Sequence, residues 1–149
     1  MAIDDRDIKK QKLVSEWIAR LGISDWDISV KSDCTIEEIH LILDGEDATG
    51  AVRWATLNKK AQVFILSEEE FDKLDENKKW ICKYDFEQTL AHELLHIKFA
   101  VLWDSFENQF LADWFHQQGI EDMATALVDA KRKGVQIGQV TKCISSKVL

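Results

Sequence analysis

Phe86-Glu87-Gln88-Thr89-Leu90-Ala91-His92-Glu93-Leu94-Leu95-His96-Ile97-Lys98-Phe99-Ala100-Val101-Leu102 decides how the rest of the chain is read. Phe86, Leu90, Leu94, Ile97 and Val101 recur at three- and four-residue steps, the period of one buried helix face. Asp85 is a candidate N-cap with Gln88 as its box partner, and neither Gly nor Pro interrupts residues 86–102. A helix here stacks His92 above His96, with Cβ atoms about 5–6 Å apart. His92, Glu93 and His96 spell H-E-x-x-H, and two imidazoles on one face can converge on a single ion. A tetrahedral zinc about 2.0–2.1 Å from each nitrogen asks for nitrogens roughly 3.3 Å apart, which leaning rings supply. Glu93 lies about 100° further round, where its carboxylate can act as a base on water at the open position of the ion.

The 149 residues suit one domain, 1–149, with a real hydrophobic core. A net charge of −8 speaks against phosphate backbones and acidic membranes, so neither nucleic acid nor membrane is expected as a partner. Lys131-Arg132-Lys133 is the one basic cluster, and it reads as a solvated helix C-terminus. Cys34, Cys82 and Cys143 are odd in number, widely spaced and without a C-x-x-C pair, which argues against both a disulfide framework and a thiolate zinc site and points to a reducing compartment. With no apolar run of signal-peptide or membrane-span length, the expected location is cytoplasmic. Six tryptophans read mostly as packing, with one or two lining a cleft.

Residues 6–21 form an amphipathic helix pattern stopped by Gly22, and Asp25 to Lys31 alternates as a first strand. Glu38 to Leu43 alternates through Ile39, Leu41 and Leu43 as a second strand, although Glu37-Glu38 can also seed a short helix. On the strand reading His40 is a half-exposed strand residue rather than a ligand. Ala51–Leu57 and Ala61–Leu66 flank a short turn and predict an antiparallel hairpin. Ser67 caps a further helix with Glu70 as its partner. Trp103 to Gln118 is a continuing or second helix that Gly119 breaks, and residues 120–130 make a closing helix with Met123, Ala124, Leu127 and Val128 as its stripe. Beyond Gly134 the tail alternates weakly and can add an edge strand or wrap the surface.

A catalytic zinc takes three protein ligands, so the histidine pair is incomplete by one. Phe99 and Leu102 stand where an extended H-E-x-x-H-x-x-G-x-x-H motif needs Gly and His, which excludes that solution. Downstream donors are Asp104, Glu107, Asp113, His116, Glu121 and Asp122, of which Glu121, at the start of a separate helix, is best placed to reach inward. Its alternative is a first-turn glutamate that favours the helix dipole.

Residues 61–130, with a β-run, a capped helix, Thr89-Leu-Ala-His92-Glu93-Leu-Leu-His96, and Glu121 followed by Ala124 and Leu127, resemble the small gluzincin-type metallopeptidases of phages and other mobile elements. The resemblance implies an α+β, zincin-like fold with Zn²⁺ as cofactor, His92, His96 and Glu121 as ligands and Glu93 as the catalytic base. It also implies a peptide or protein substrate, with Val63 to Leu66 as the edge strand bounding its groove. His116, in the long aromatic segment between His96 and Glu121, is an alternative ligand or an oxyanion donor, and Tyr84 is a second candidate donor. The competing reading is a non-catalytic zincin-fold binding or regulatory protein with a structural zinc. The intact Glu93 argues against it, because a structural site needs no base. A DNA-associated protease carrying the same motif is opposed by the acidic charge.

Overall fold

The computed structural model describes residues 4–75, 82–105 and 109–134. Trp80, Phe106, Glu107, Cys143 and the tail from residue 135 lie outside the described residues. Among the described residues the chain is α+β, with seven α-helices and a three-stranded mixed sheet. No described helix is long and apolar enough to cross a membrane.

Helix α1 (Asp5–Leu21) is capped by Asp4 and ends at Gly22, whose φ of 67° places it in the left-handed region that glycine tolerates. Strand β1 (Asp27–Cys34) follows, later in start and longer than its alternation predicts. The next segment corrects the sequence expectation, because residues 36–42 are helix α2 (Ile36–Ile42) and not a strand. Thr35 and Glu38 close a reciprocal capping box, and Ile36 and Ile39, one turn apart, are the buried residues while Leu41 is 86 % exposed. The spacing of Ile36 to Ile39 outweighs the accidental alternation of Ile39, Leu41 and Leu43. His40 therefore sits on this helix, bonded to Asp47 at 2.7 Å.

The hairpin forms as expected, from β2 (Gly50–Ala55) and β3 (Lys60–Leu66), with the sheet ordered β1-β3-β2. β3 runs parallel to β1 and antiparallel to β2. Val63 to Leu66 is thus central and not an edge, a second correction. Its consecutive apolar residues fill both faces of the sheet, Val63 and Ile65 on one side and Phe64 and Leu66 on the other, as a central strand requires. The edge beside the H-E-x-x-H helix is β2. Helix α3 (Glu68–Asp75) starts at Ser67, whose Oγ accepts from the Glu70 amide, and with α2 it covers one end of the outer sheet face through Phe71, Ile39 and Leu66.

Helix α4 (Phe86–Lys98) lies across the inner face of the sheet. Leu90, Leu94 and Ile97 are buried as the period predicts, but the helix ends at Phe99 and a short α5 (Ala100–Asp104) follows, leaving Val101 62 % exposed. Gly119 does not break the next helix either: α6 (Gln109–Trp114) runs through a π-helical turn at Phe115–Gly119 into α7 (Ile120–Arg132). Gly119 has helical dihedrals of −64° and −42°. Packing on both sides of it, with Phe115 edge-on to Phe99 and Ile120 fully buried, carries the helix past the glycine.

In the basic cluster at the end of α7, Arg132 and Lys133 are exposed as expected, but Lys131 is not solvated. Lys131 pairs with Glu87 and lies 5.8 Å from the Trp17 ring, while the Trp17 indole N–H donates to Glu87 at 2.8 Å. A single guanidinium nitrogen of Arg132, Nη2, donates to both oxygens of Asp85, at 2.9 and 3.0 Å. Glu87 thereby joins α1, α4 and α7. Burial alone would raise its pKa, yet the Lys131 and Trp17 hydrogen bonds hold it below the usual carboxylate range. A depressed folded-state pKa stabilises the fold above the unfolded value and loses that contribution as pH falls through the folded value. Glu87→Gln is expected to cost about 2 kcal/mol at pH 7. Urea unfolding repeated down to pH 3 should find the gap between variant and wild type closing below the ordinary glutamate range.

Candidate active site

Three faces of α4 meet three different surroundings. Leu90, Leu94 and Ile97 enter the core. Thr89, Glu93 and His96 run alongside β2, whose inward positions Gly50, Val52 and Trp54 line the same cavity. Gln88 and His92 face α7. The cavity of about 560 Å³ lies where the second and third faces join, and His92, Glu93, His96 and Glu121 all line it.

Gly50 is the point of closest approach. A Cβ there would fall 2.6 Å from Thr89 Cγ2 and 2.8 Å from Glu93 Oε1, so only glycine lets β2 lie this near the helix. Four residues along the strand, Trp54 stacks on His96 with ring centroids 6.4 Å apart and planes 13° from parallel. Trp54 is the cleft-lining tryptophan that composition could announce but not locate. By composition Gly50 reads with Asp44-Gly45-Glu46-Asp47 as a polar turn, whereas it is the first residue of β2, paired with Ile65.

The Nε2 atoms of His92 and His96 are 3.1 Å apart. The opposite nitrogen of His92, Nδ1, is 2.6 Å from Glu121 Oε2. Glu93 is 6 % exposed, and burial pushes its pKa up to about 7, with the His92 charge pulling it down and the Glu121 charge adding to the rise. Burial pulls the His92 pKa down, but the Glu121 hydrogen bond and the Glu93 charge more than offset it and leave the imidazole raised. Glu121 is held below the usual carboxylate range, first by its hydrogen bond to His92.

No protein-family model, curated protein or solved structure matches the chain. The spacing of the donors is therefore the available test of fit to zinc. Two nitrogens bound to one tetrahedral ion sit roughly 3.3 Å apart, and the histidine pair at 3.1 Å fits. Glu121 reaches the same cluster, but on Nδ1, so its carboxylate and the two Nε2 atoms form no three-donor group among the described residues. Of the other cavity carboxylates, Asp85 caps α4 and is held by Arg132. Glu121 is then the acid beside the pair, apart from Glu93 itself.

The remaining candidates fall away from this cluster or outside the description. Tyr84 donates its hydroxyl to the Leu66 carbonyl at 2.8 Å and, buried against Phe71, has its pKa pushed up to about 12. That bond commits it to the backbone of β3, so it is not an oxyanion donor. Asp122 accepts from Gln118 at 3.2 Å, and Asp104 accepts from the Thr56 hydroxyl. His116 stands on the π-helical turn, and its side chain lies outside what the structure describes. Gly50→Ala is expected to destabilise the protein by about 1–3 kcal/mol through overpacking. In the same variant Glu93 must move, which a shift of its carboxyl ¹³C resonance would report; an unshifted resonance would show that the approach is not tight.

Proposed function

We propose that this chain is a zinc-dependent peptidase of zincin-like architecture. His92 and His96 would hold Zn²⁺ through Nε2, and Glu121, which here meets His92 at Nδ1, would have to leave that hydrogen bond to serve as the third ligand; the bound ion would supply Lewis acidity that polarises a peptide carbonyl and acidifies water. The observation that carries the reading is the 3.1 Å approach of the two Nε2 atoms beside a buried carboxylate. At this separation the two rings can share a hydrogen bond, and the same spacing suits two nitrogens donating to one tetrahedral ion.

The remaining work falls to the chain's own residues. Glu93 takes a proton from water and delivers it to the leaving amide nitrogen. A carboxylate whose proton affinity is raised toward neutrality by burial suits both transfers better than an exposed one. β2, an edge of the sheet among the described residues, offers unpaired backbone groups to which an extended peptide can add as a strand. Gly50 lets that strand lie close enough for the added peptide to reach Glu93. Trp54 keeps His96 from turning and walls one end of the cleft.

Glu93→Gln keeps the shape of the site and removes the base. The expected result is a variant that retains zinc and loses hydrolysis of a fluorogenic peptide library by 100-fold or more, on the order of a general base's contribution. Turnover equal to wild type would refute the assignment. Zinc retained with no cleavage by either protein would favour the non-catalytic scaffold.

A further inference from the structure

An extended chain that adds to β2 is read on two faces, because successive side chains of a strand point to opposite sides of the sheet. Along β2, Gly50, Val52 and Trp54 turn to the catalytic cavity, while Ala51 packs into the outer cluster and Arg53 and Ala55 line a groove on the outer face. Arg53 is the one charged residue of this strand. Gly50 marks the height of Glu93 along the helix and Trp54 the height of His96, so Arg53 lies between the two ends of the site. A substrate residue paired with Arg53 therefore falls within about two residues of the bond offered to Glu93, with its side chain on the outer face.

The groove there has a volume of about 390 Å³, and the strand register sets its rows. One row is Arg53, Gln62 and Ser29, and the next is Ala55, Lys60 and Asp27. Arg53 Nε donates to Gln62 Oε1 at 2.6 Å, and its guanidinium carbon lies 5.3 Å from the centre of the Phe64 ring. These contacts hold the guanidinium against the sheet and use only its Nε donor. Its Nη groups have no hydrogen-bond partner among the described residues. With strands about 4.8 Å apart, an added peptide lies one spacing from β2, two from β3 and three from β1. Asp27, the acid of the groove, is then the farthest of its charges, beyond a Debye length at physiological salt.

Resting on the peptidase reading above, we propose that Arg53 determines substrate specificity by selecting a glutamate or aspartate at the outward-facing substrate position beside it. Cβ atoms paired across two strands are about 4.5–5.5 Å apart, within reach of a carboxylate and a guanidinium. The net charge of −8 repels acidic peptides as a whole, so a preference for acid at one position has to come from a local cation.

The test uses the full zinc-loaded chain and a series of internally quenched peptides. In the series, each of the two positions on either side of the cleaved bond is in turn Glu, Gln or Lys. At one of these positions kcat/KM for Glu is expected to exceed that for Gln by about five-fold, the scale of a partly exposed ion pair. The difference should sit in KM and fade at about 1 M salt. Arg53→Lys should keep part of the ratio, Arg53→Gln should bring it to unity, and Arg53→Glu should turn it in favour of Lys at the same position. As ratios within one variant, these readings do not depend on how much of it folds. A wild type that cleaves the series without favouring Glu, or a preference that survives Arg53→Gln, would overturn the assignment and leave the peptidase standing. No cleavage of any member by the zinc-loaded wild type would instead remove the peptidase reading, and the role of Arg53 with it.

Discussion

Helix α4 has to be apolar enough to be buried between the sheet, α1 and α7, and polar enough to carry chemistry on the same few turns. The conflict is resolved by geometry. Leu90, Leu94 and Ile97 take the core face, Glu93 and His96 take the face toward β2, and Asp85, Gln88 and His92 take the face toward α7. A buried polar group is costly unless something nearby compensates it. On the α7 side, hydrogen bonds from Gln88 and His92 and the Arg132–Asp85 ion pair do so. On the β2 side Glu93 is nine-tenths buried, and its proton affinity rises to about 7 in place of full compensation. The same desolvation that destabilises its charge makes it a stronger base.

The close approach of β2 ties fold to site. Gly50 admits the strand to within contact of Thr89 and Glu93, and Trp54 at the other end stacks on His96. The cavity exists because the strand is near at both ends, and its two walls are a sheet edge and the first turn of α7.

Much of this was legible in the residues. The apolar period of 86–97, the Asp85 cap and the hairpin follow from spacing and type; the hydrogen bond of Glu121 to His92 Nδ1 does not. What was not legible had identifiable physical causes. The Thr35–Glu38 capping box was hidden by an alternation that the strand template also accepts. Val63 to Leu66 reads as β from its residues, but whether a strand is central or edge depends on β1 pairing in parallel from thirty residues upstream, which no local pattern encodes. Gly119 has breaker chemistry, and only the burial of Ile120 and the Phe99–Phe115 contact override it. Lys131 looks like part of a solvated cluster because its partner, Glu87, lies more than forty residues earlier.

The central claim is that two imidazoles of one helix share an ion. Zinc-edge X-ray absorption on the zinc-loaded chain tests it most directly. The account predicts a four- or five-coordinate first shell at about 2.0–2.1 Å with the multiple-scattering signature of two imidazole rings, halved in amplitude by His96→Ala. A six-coordinate shell of oxygens alone, or a spectrum unchanged by His96→Ala, would contradict it.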